Sequence, residues 1–185
     1  MSKKYELTNE TKTLAGGTVL HRIRALRDIP RFGVKAGELG GFVEGENNLS
    51  QDGDAWVSGD AEVSGYAWVY DNAEVFGNAC VAGNSKVFDN AKVSGDAEVY
   101  GNAKVSANSD YMVVKNIWSS GRWFTYTRSN KMWAVGCLYG TGEELVAKAY
   151  KDSKLSGRCY EAIVRAVETI EAAKAEAKGE SNGSK

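Results

Sequence analysis

Between residues 54 and 108 the chain repeats one six-residue phrase of apolar and polar positions: DAWVSG, DAEVSG, YAWVYD, NAEVFG, NACVAG, NSKVFD, NAKVSG, DAEVYG, NAKVSA. Valine recurs at 57, 63, 69, 75, 81, 87, 93, 99 and 105, and alanine (or Ser85) stands two places before it each time. Apolar positions that alternate in this way predict a short strand with Ala and Val pointing inward and the residues beside each Val pointing outward. The Gly, Asn and Asp that follow tolerate positive φ and predict a tight bend. Three strands and three bends restore the chain direction, so eighteen residues make one triangular coil, and coils stack at about 4.8 Å like strands in any sheet. Val57, Val75 and Val93 then lie one above another. No such repeat buries its own apolar side, so the core comes from stacking, as in a parallel β-helix. Half-matches at Val43 and Leu49 extend the pattern backwards, for about three and a half coils. The spacing from Leu49 to Val57 is eight, which puts an insertion or entry turn at residues 51–53.

Sorting the outward positions by face separates three sets. One carries Trp56, Ser58, Glu74, Phe76, Lys92 and Ser94; the next Glu62, Ser64, Cys80, Ala82, Glu98 and Tyr100; the third Trp68, Tyr70, Lys86, Phe88, Lys104 and Ser106. Trp68, Tyr70 and Phe88 are expected to cluster, an apolar patch that a soluble monomer seldom leaves exposed. The candidate oligomer or partner surface is therefore Trp56, Trp68, Tyr70, Phe76, Phe88 and Tyr100.

On either side of the repeat the periodicity changes. Residues 4–29 predict a β-hairpin with a turn at residues 15–17, Val19, His21, Ile23 and Ala25 on one face and Arg22 and Arg24 on the other. A cap over the open first coil is one reading of it, because a bare end exposes unpaired backbone, and a basic binding surface is the other. After Asn108, residues 111–118, 122–128 and 132–139 predict a three-stranded antiparallel meander. Thr141 to Glu144 form a capping-box pattern that opens a helix carrying Leu145, Val146, Ala149 and Tyr150. A second helix over 157–178 buries Tyr160, Ile163, Val167 and Ile170, and Gly179 ends it before a disordered tail. The domains are 1–40 (cap), 41–109 (β-helix), 110–178 (α+β) and 179–185 (tail).

In the meander, Arg122, Phe124, Tyr126 and Arg128 alternate onto one side of the middle strand near Lys131 and Trp133. Guanidinium and aromatic groups stack on bases and pair with phosphates, so Ser119, Ser120, Arg122, Tyr126, Arg128, Lys131 and Trp133 are candidates for a nucleotide ligand. The alternative is that this side packs on the helices and its arginines are merely solvated.

Composition narrows the chemistry. The 185 residues are 43% hydrophobic with one proline and a net charge of −1, so there is no global attraction to nucleic acid or anionic membrane. No apolar run approaches membrane-spanning length, and the start MSKKYELTNE lacks a signal-peptide core, which points to the cytoplasm. Cys80, Cys137 and Cys159 share no close spacing and read as reduced thiols, with neither a disulfide framework nor a metal site. Neither a phosphate-binding glycine loop nor a nucleophile elbow occurs.

The repeat resembles the left-handed β-helix of the hexapeptide-repeat proteins, whose aliphatic residue is followed four places later by a small one, as Val57 is by Ala61. The residue after the aliphatic is often small or acidic in the enzymes of that family, whereas here it is mostly Ser, Tyr or Phe. Acyltransferases of the family use a histidine as general base at a subunit boundary, and the coils here contain none; the single histidine, His21, lies in the expected cap and reads as a packing or hydrogen-bonding residue. Carbonic anhydrases on such a coil hold their metal with three histidines, which one cannot supply. The entry segment VKAGELGGFVEGENNLS (34–50) is similar to that of hexapeptide-repeat proteins encoded by bacteriophages, prophages and enterobacteria, and the Gly136-Cys137 and Gly140-Thr141-Gly142-Glu143-Glu144 runs resemble a module that follows their coils. The resemblance implies a phage origin and side-by-side assembly as a homotrimer. The expectation is a non-catalytic binding protein without cofactors that antagonises a host defence system by binding a host protein. Sequestration of a small nucleotide signal by the C-terminal module and a degenerate acyltransferase are the alternatives.

Overall fold

The computed structural model describes residues 3–182, with side chains through residue 177. It is mainly β, a β-solenoid of about four turns followed by two C-terminal helices. Contacts divide the chain into two compact units. The first holds residues up to Asn116 together with Arg122–Tyr139; the second holds Ile117–Gly121 and the chain from Gly140 onward. The meander therefore belongs with the solenoid, and the unit boundary falls inside residues 110–178.

The chain opens with the expected hairpin, β1 (Tyr5–Thr13) and β2 (Val19–Ala25), paired antiparallel with a register shift between Leu7 and Thr11. Ile23 and Ala25 are buried as expected, whereas Val19 is exposed and Leu20 is buried in its place. β3 (Leu39–Val43) pairs antiparallel with β2 on one side and, on the other, parallel with the first full coil. The solenoid strands are β4 (Trp56–Val57), β5 (Glu62–Val63), β6 (Trp68–Val69), β7 (Glu74–Val75), β8 (Cys80–Val81), β9 (Lys86–Val87), β10 (Lys92–Val93), β11 (Glu98–Val99) and β12 (Lys104–Val105). They stack as three sheets: β4-β7-β10, β6-β9-β12, and β1-β2-β3-β5-β8-β11, in which the hairpin prolongs one wall of the prism. Every inward Ala and Val of these coils, and Ser85, is inaccessible to solvent. Ser85 keeps its hydroxyl in this apolar row by donating to the Ala82 carbonyl at 2.8 Å.

Two ends of the prism need special treatment, because a coil without a neighbour leaves backbone groups unpaired. At the N-terminal end the extra residues at 51–53 are the docking point for the first strand. Val43 pairs with Val63 and Leu49 bridges Val69, twenty residues apart, whereas later partners such as Val57 and Val75 are eighteen apart. The Gln51 side chain accepts from the Lys4 amide at 2.8 Å and donates to the Tyr5 carbonyl at 3.2 Å, imitating a strand partner. The Tyr5 hydroxyl donates to the Leu49 carbonyl at 2.8 Å, and the fully buried Lys4 ammonium donates to the carbonyls of Ala55 at 2.7 Å and Asp52 at 3.4 Å. Gly53 has φ +66°, and a Cβ there would lie 2.4 Å from the Asp71 carbonyl oxygen, so this crossing admits only glycine.

At the other end the amides of the last turn are met by side chains. Lys92 donates to Asn108 Oδ1 (2.9 Å), Glu98 to Thr125 Oγ1 (2.9 Å), Lys104 to Ser129 Oγ (2.7 Å) and Ser106 to Asp110 Oδ2 (2.9 Å). The sheet that carries Thr125 has four strands, one more than expected: β13 (Tyr111–Lys115), β14 (Trp123–Thr127), β15 (Met132–Val135) and β16 (Leu138–Gly140). Residues 132–139 split because Gly136, at φ +57°, turns the chain.

In the second unit α1 (Gly142–Asp152) starts at the expected capping box, with the Thr141 hydroxyl accepting from the Glu144 amide and the Glu144 carboxylate accepting from the Thr141 amide. α2 (Lys154–Asn182) begins three residues earlier than expected and its helical backbone passes Gly179; residues 183–185 of the expected tail lie outside the described residues. Its buried positions are Gly157, Val164 and Val167, with Tyr160 and Ile163 half-buried, while Ile170, expected in the stripe, is 46% exposed. The Tyr150 ring lies so close to Gly157 that a Cβ there would come within 2.3 Å of it.

Candidate functional site

The three walls of the solenoid differ in what covers them. On the β4-β7-β10 wall the turn at Pro30–Phe32 reaches across: Arg31 donates to Asn90 Oδ1 at 2.6 Å and the Lys92 ammonium sits 5.7 Å from the centre of the Phe32 ring. Trp56, expected on this surface, is 1% exposed and belongs to the core cluster, packed over Gly40 of β3. That is a correction with a simple cause: in the first coil the cap, not solvent, lies outside the strand. Phe76, lower on the same wall, is half-buried.

The β5-β8-β11 wall is partly shielded. Lys12 of the hairpin pairs with Glu62 and lies 5.7 Å from the Phe42 ring centre, and Ser64 is buried. Tyr100 is half-buried, edge-on to Tyr139 at 6.3 Å, and the Tyr139 hydroxyl donates to the Tyr100 carbonyl. Burial pushes the Cys80 thiol up despite a hydrogen bond with Tyr100, which makes it a poor nucleophile. Burial likewise raises the Glu98 carboxyl, one of whose oxygens is buried without a partner.

The β6-β9-β12 wall carries the candidate site. Trp68 and Tyr70 stack at 4.0 Å and Tyr70 and Phe88 at 5.2 Å, so the three expected rings form one short column. Trp68 is 39% exposed, and the Lys86 ammonium stands 5.9 Å from its ring centre. Exposed Lys86 and Lys104 line one margin of the wall; exposed Asp71 and Asp89, at φ 58° and 56°, make the corner along the other. Burial, and then the carboxylates of Asp71 and Asp89, raise the Tyr70 hydroxyl. Above the column the inserted residues leave a notch of about 230 Å³ lined by Ser50, Asp52, Gly53, Trp68, Tyr70 and Asp71.

Tyr66, 86% exposed at the corner just before this wall, escaped the sequence reading. Its signal was present: the equivalent bend position holds Asp or Asn at 60, 72, 78, 84, 90, 96 and 102, and only here an aromatic ring. Lys4 and Gln51, which fasten the first strand, also escaped it, because a lysine near a terminus ordinarily reads as solvated.

The meander does not display its two candidate rings. Tyr126 and Trp133 pair across β14 and β15 with centroids 5.0 Å apart, but they are 6% and 2% exposed. Arg122 and Lys131 are exposed; Arg128 is half-buried, and against the upward push of burial the hydrogen bonds from Ser106 and Ala107, joined last by the Arg128 charge, hold the Asp110 carboxyl below its ordinary range. Ser119 and Ser120 are exposed and belong to the second unit. His21 is half-buried in the hairpin with Nδ1 3.3 Å from the Thr8 carbonyl. Among the described residues no group of three His, Cys, Asp or Glu side chains could hold a metal ion, and no helix is long and apolar enough to cross a membrane. No family model matches the chain, and a search of curated proteins finds no match.

Proposed function

We propose that this chain is a non-catalytic binding protein, phage-derived and cytoplasmic, built on a left-handed hexapeptide-repeat β-helix that joins copies of itself into a homotrimer and engages a host protein to antagonise host defence. The observation that carries the assembly is the β6-β9-β12 wall. It offers a column of rings between a basic margin and an acidic corner, so copies set side by side about a threefold axis bring Lys86 of one copy toward Asp89 of the next while the rings leave water. Nucleotide sequestration by the meander is the weaker reading, since its candidate rings, Tyr126 and Trp133, are buried. The partner role follows from the resemblance of the entry segment to phage proteins and from coils that contain no histidine to serve as a general base.

Native mass spectrometry of the purified chain tests the assembly. The expected particle holds a multiple of three chains, and Trp68→Glu, which should fold normally by circular dichroism, lowers the number of chains threefold. A wild-type particle whose chain count is not divisible by three sinks the trimer and leaves the column as a surface for a foreign partner.

A further inference from the structure

α2 is 29 residues long and its partner α1 only 11, so much of α2 extends past the helix it packs against. Its buried positions, Gly157, Val164 and Val167, occupy one side. At 3.6 residues per turn a second apolar stripe runs down the opposite side, anchored by Leu155, 61% exposed, and Ile170, 46% exposed. Between and beyond these anchors the stripe is Cys159 and alanines, all exposed except the half-buried Cys159.

The stripe is symmetric about Ala166. Eleven residues to either side stand Leu155 and Ala177, seven to either side Cys159 and Ala173, and four to either side Ala162 and Ile170. Two such helices crossing antiparallel at Ala166 would therefore set a larger side chain over an alanine in each of these layers, with alanine on alanine at the crossing point, where helix backbones approach most closely.

The charges agree with the same arrangement. The first half of the helix carries Lys154, Arg158 and Arg165 against Glu161, and the second Glu168, Glu171, Glu176 and Glu180 against Lys174 and Lys178. No acidic residue lies in the first turn and no basic one in the last, the reverse of what the helix dipole favours. Beside an antiparallel copy this polarity becomes attractive: in the register set by Ala166, Glu176 of one helix falls between Lys154 and Arg158 of the other, on the same flank of the stripe.

We infer that the outer face of α2 is a self-association surface whose occupant is α2 of a second copy, paired antiparallel about a twofold axis through Ala166. This contact is separate from the solenoid wall and independent of the function proposed above.

Native mass spectrometry and sedimentation of the full chain test it. Ala166→Glu keeps helix propensity but places a carboxylate at the crossing, and it should halve the number of chains per particle. Glu176→Lys should weaken the same association at least tenfold, and adding Lys154→Glu and Arg158→Glu should restore it. If the solenoid wall also assembles, the wild type holds six chains, Ala166→Glu three and Trp68→Glu two; if the wall does not, the wild type is a dimer and Ala166→Glu a monomer. An unchanged chain count in Ala166→Glu, or no recovery in the charge-reversed triple variant, overturns the inference, and a foreign helical protein bound at this face without self-pairing does so too.

Discussion

Lys4 hands its ammonium protons to carbonyl oxygens of the first turn, and the cost of burying that charge appears in its acidity. Burial first, and the nearby Arg27 second, lower it from 10.5 to about 8, against the pull of Asp54 and Asp52. Below pH 8 the amine is protonated whether the chain is folded or not, and the folded state bears the whole penalty. Between about 8 and 10.5 the unfolded chain binds a proton that the folded chain does not, so this residue makes stability climb with pH, by roughly 3 kcal/mol over the full range. Tyr5, its hydroxyl pushed above the usual range by burial, acts oppositely once the pH passes its ordinary value near 10. Urea midpoints measured from pH 8 to 10 should therefore rise in the wild type relative to Lys4→Met, both chains sharing the falling contribution of the raised Cys80 thiol; equal slopes in the two would mean that the amine titrates normally. A lysine one residue before a strand gave no hint of burial in the sequence, because what buries it is the carbonyl cluster of a coil some fifty residues away.

At the scale of elements, the solenoid strands were legible because their period is strict: each two-residue strand stands at its expected valine, and the three walls sort as the outward positions implied. What escaped was the treatment of ends. Trp56 and Trp68 stand in the same Ala-Trp-Val triplet, and the chain laid over the first coil decides that one is buried and the other displayed. The extra strand of the meander escaped for a local reason, a glycine turn inside an apolar run. The closing of the last coil depends on single hydroxyl and amide side chains, which no periodicity announces. Thr125 is the sharpest case, fully packed and accepting from the Glu98 amide. Thr125→Val preserves the volume and strands that amide, and should lower stability by about 1–3 kcal/mol in chemical denaturation, whereas Ser129→Ala, at an exposed site, should cost less than about 1 kcal/mol. A Thr125→Val loss no larger than that of Ser129→Ala would show that water replaces the threonine.

For the molecule as a whole, the aromatic column and the α2 stripe differ in how openly the sequence declared them. The column follows from residues eighteen places apart landing on one wall, which the period alone implies. The stripe could not be assigned a side until Val164 and Val167, and not Ile170, were seen to be buried. The odd turn at residues 51–53 adds something of a different kind. Every later turn is eighteen residues and interchangeable with its neighbour, while the first is twenty and made to receive the hairpin. The chain is thus a ruler with a fixed head and uniform graduations. Copying residues 73–90 in tandem should lengthen it by about 4.8 Å and leave both fastenings intact, which small-angle scattering and an unchanged cooperative unfolding transition would register. Removing or adding two residues at the head should instead cost the fold its anchorage, so variation in length is to be sought among the graduations and never at residues 51–53.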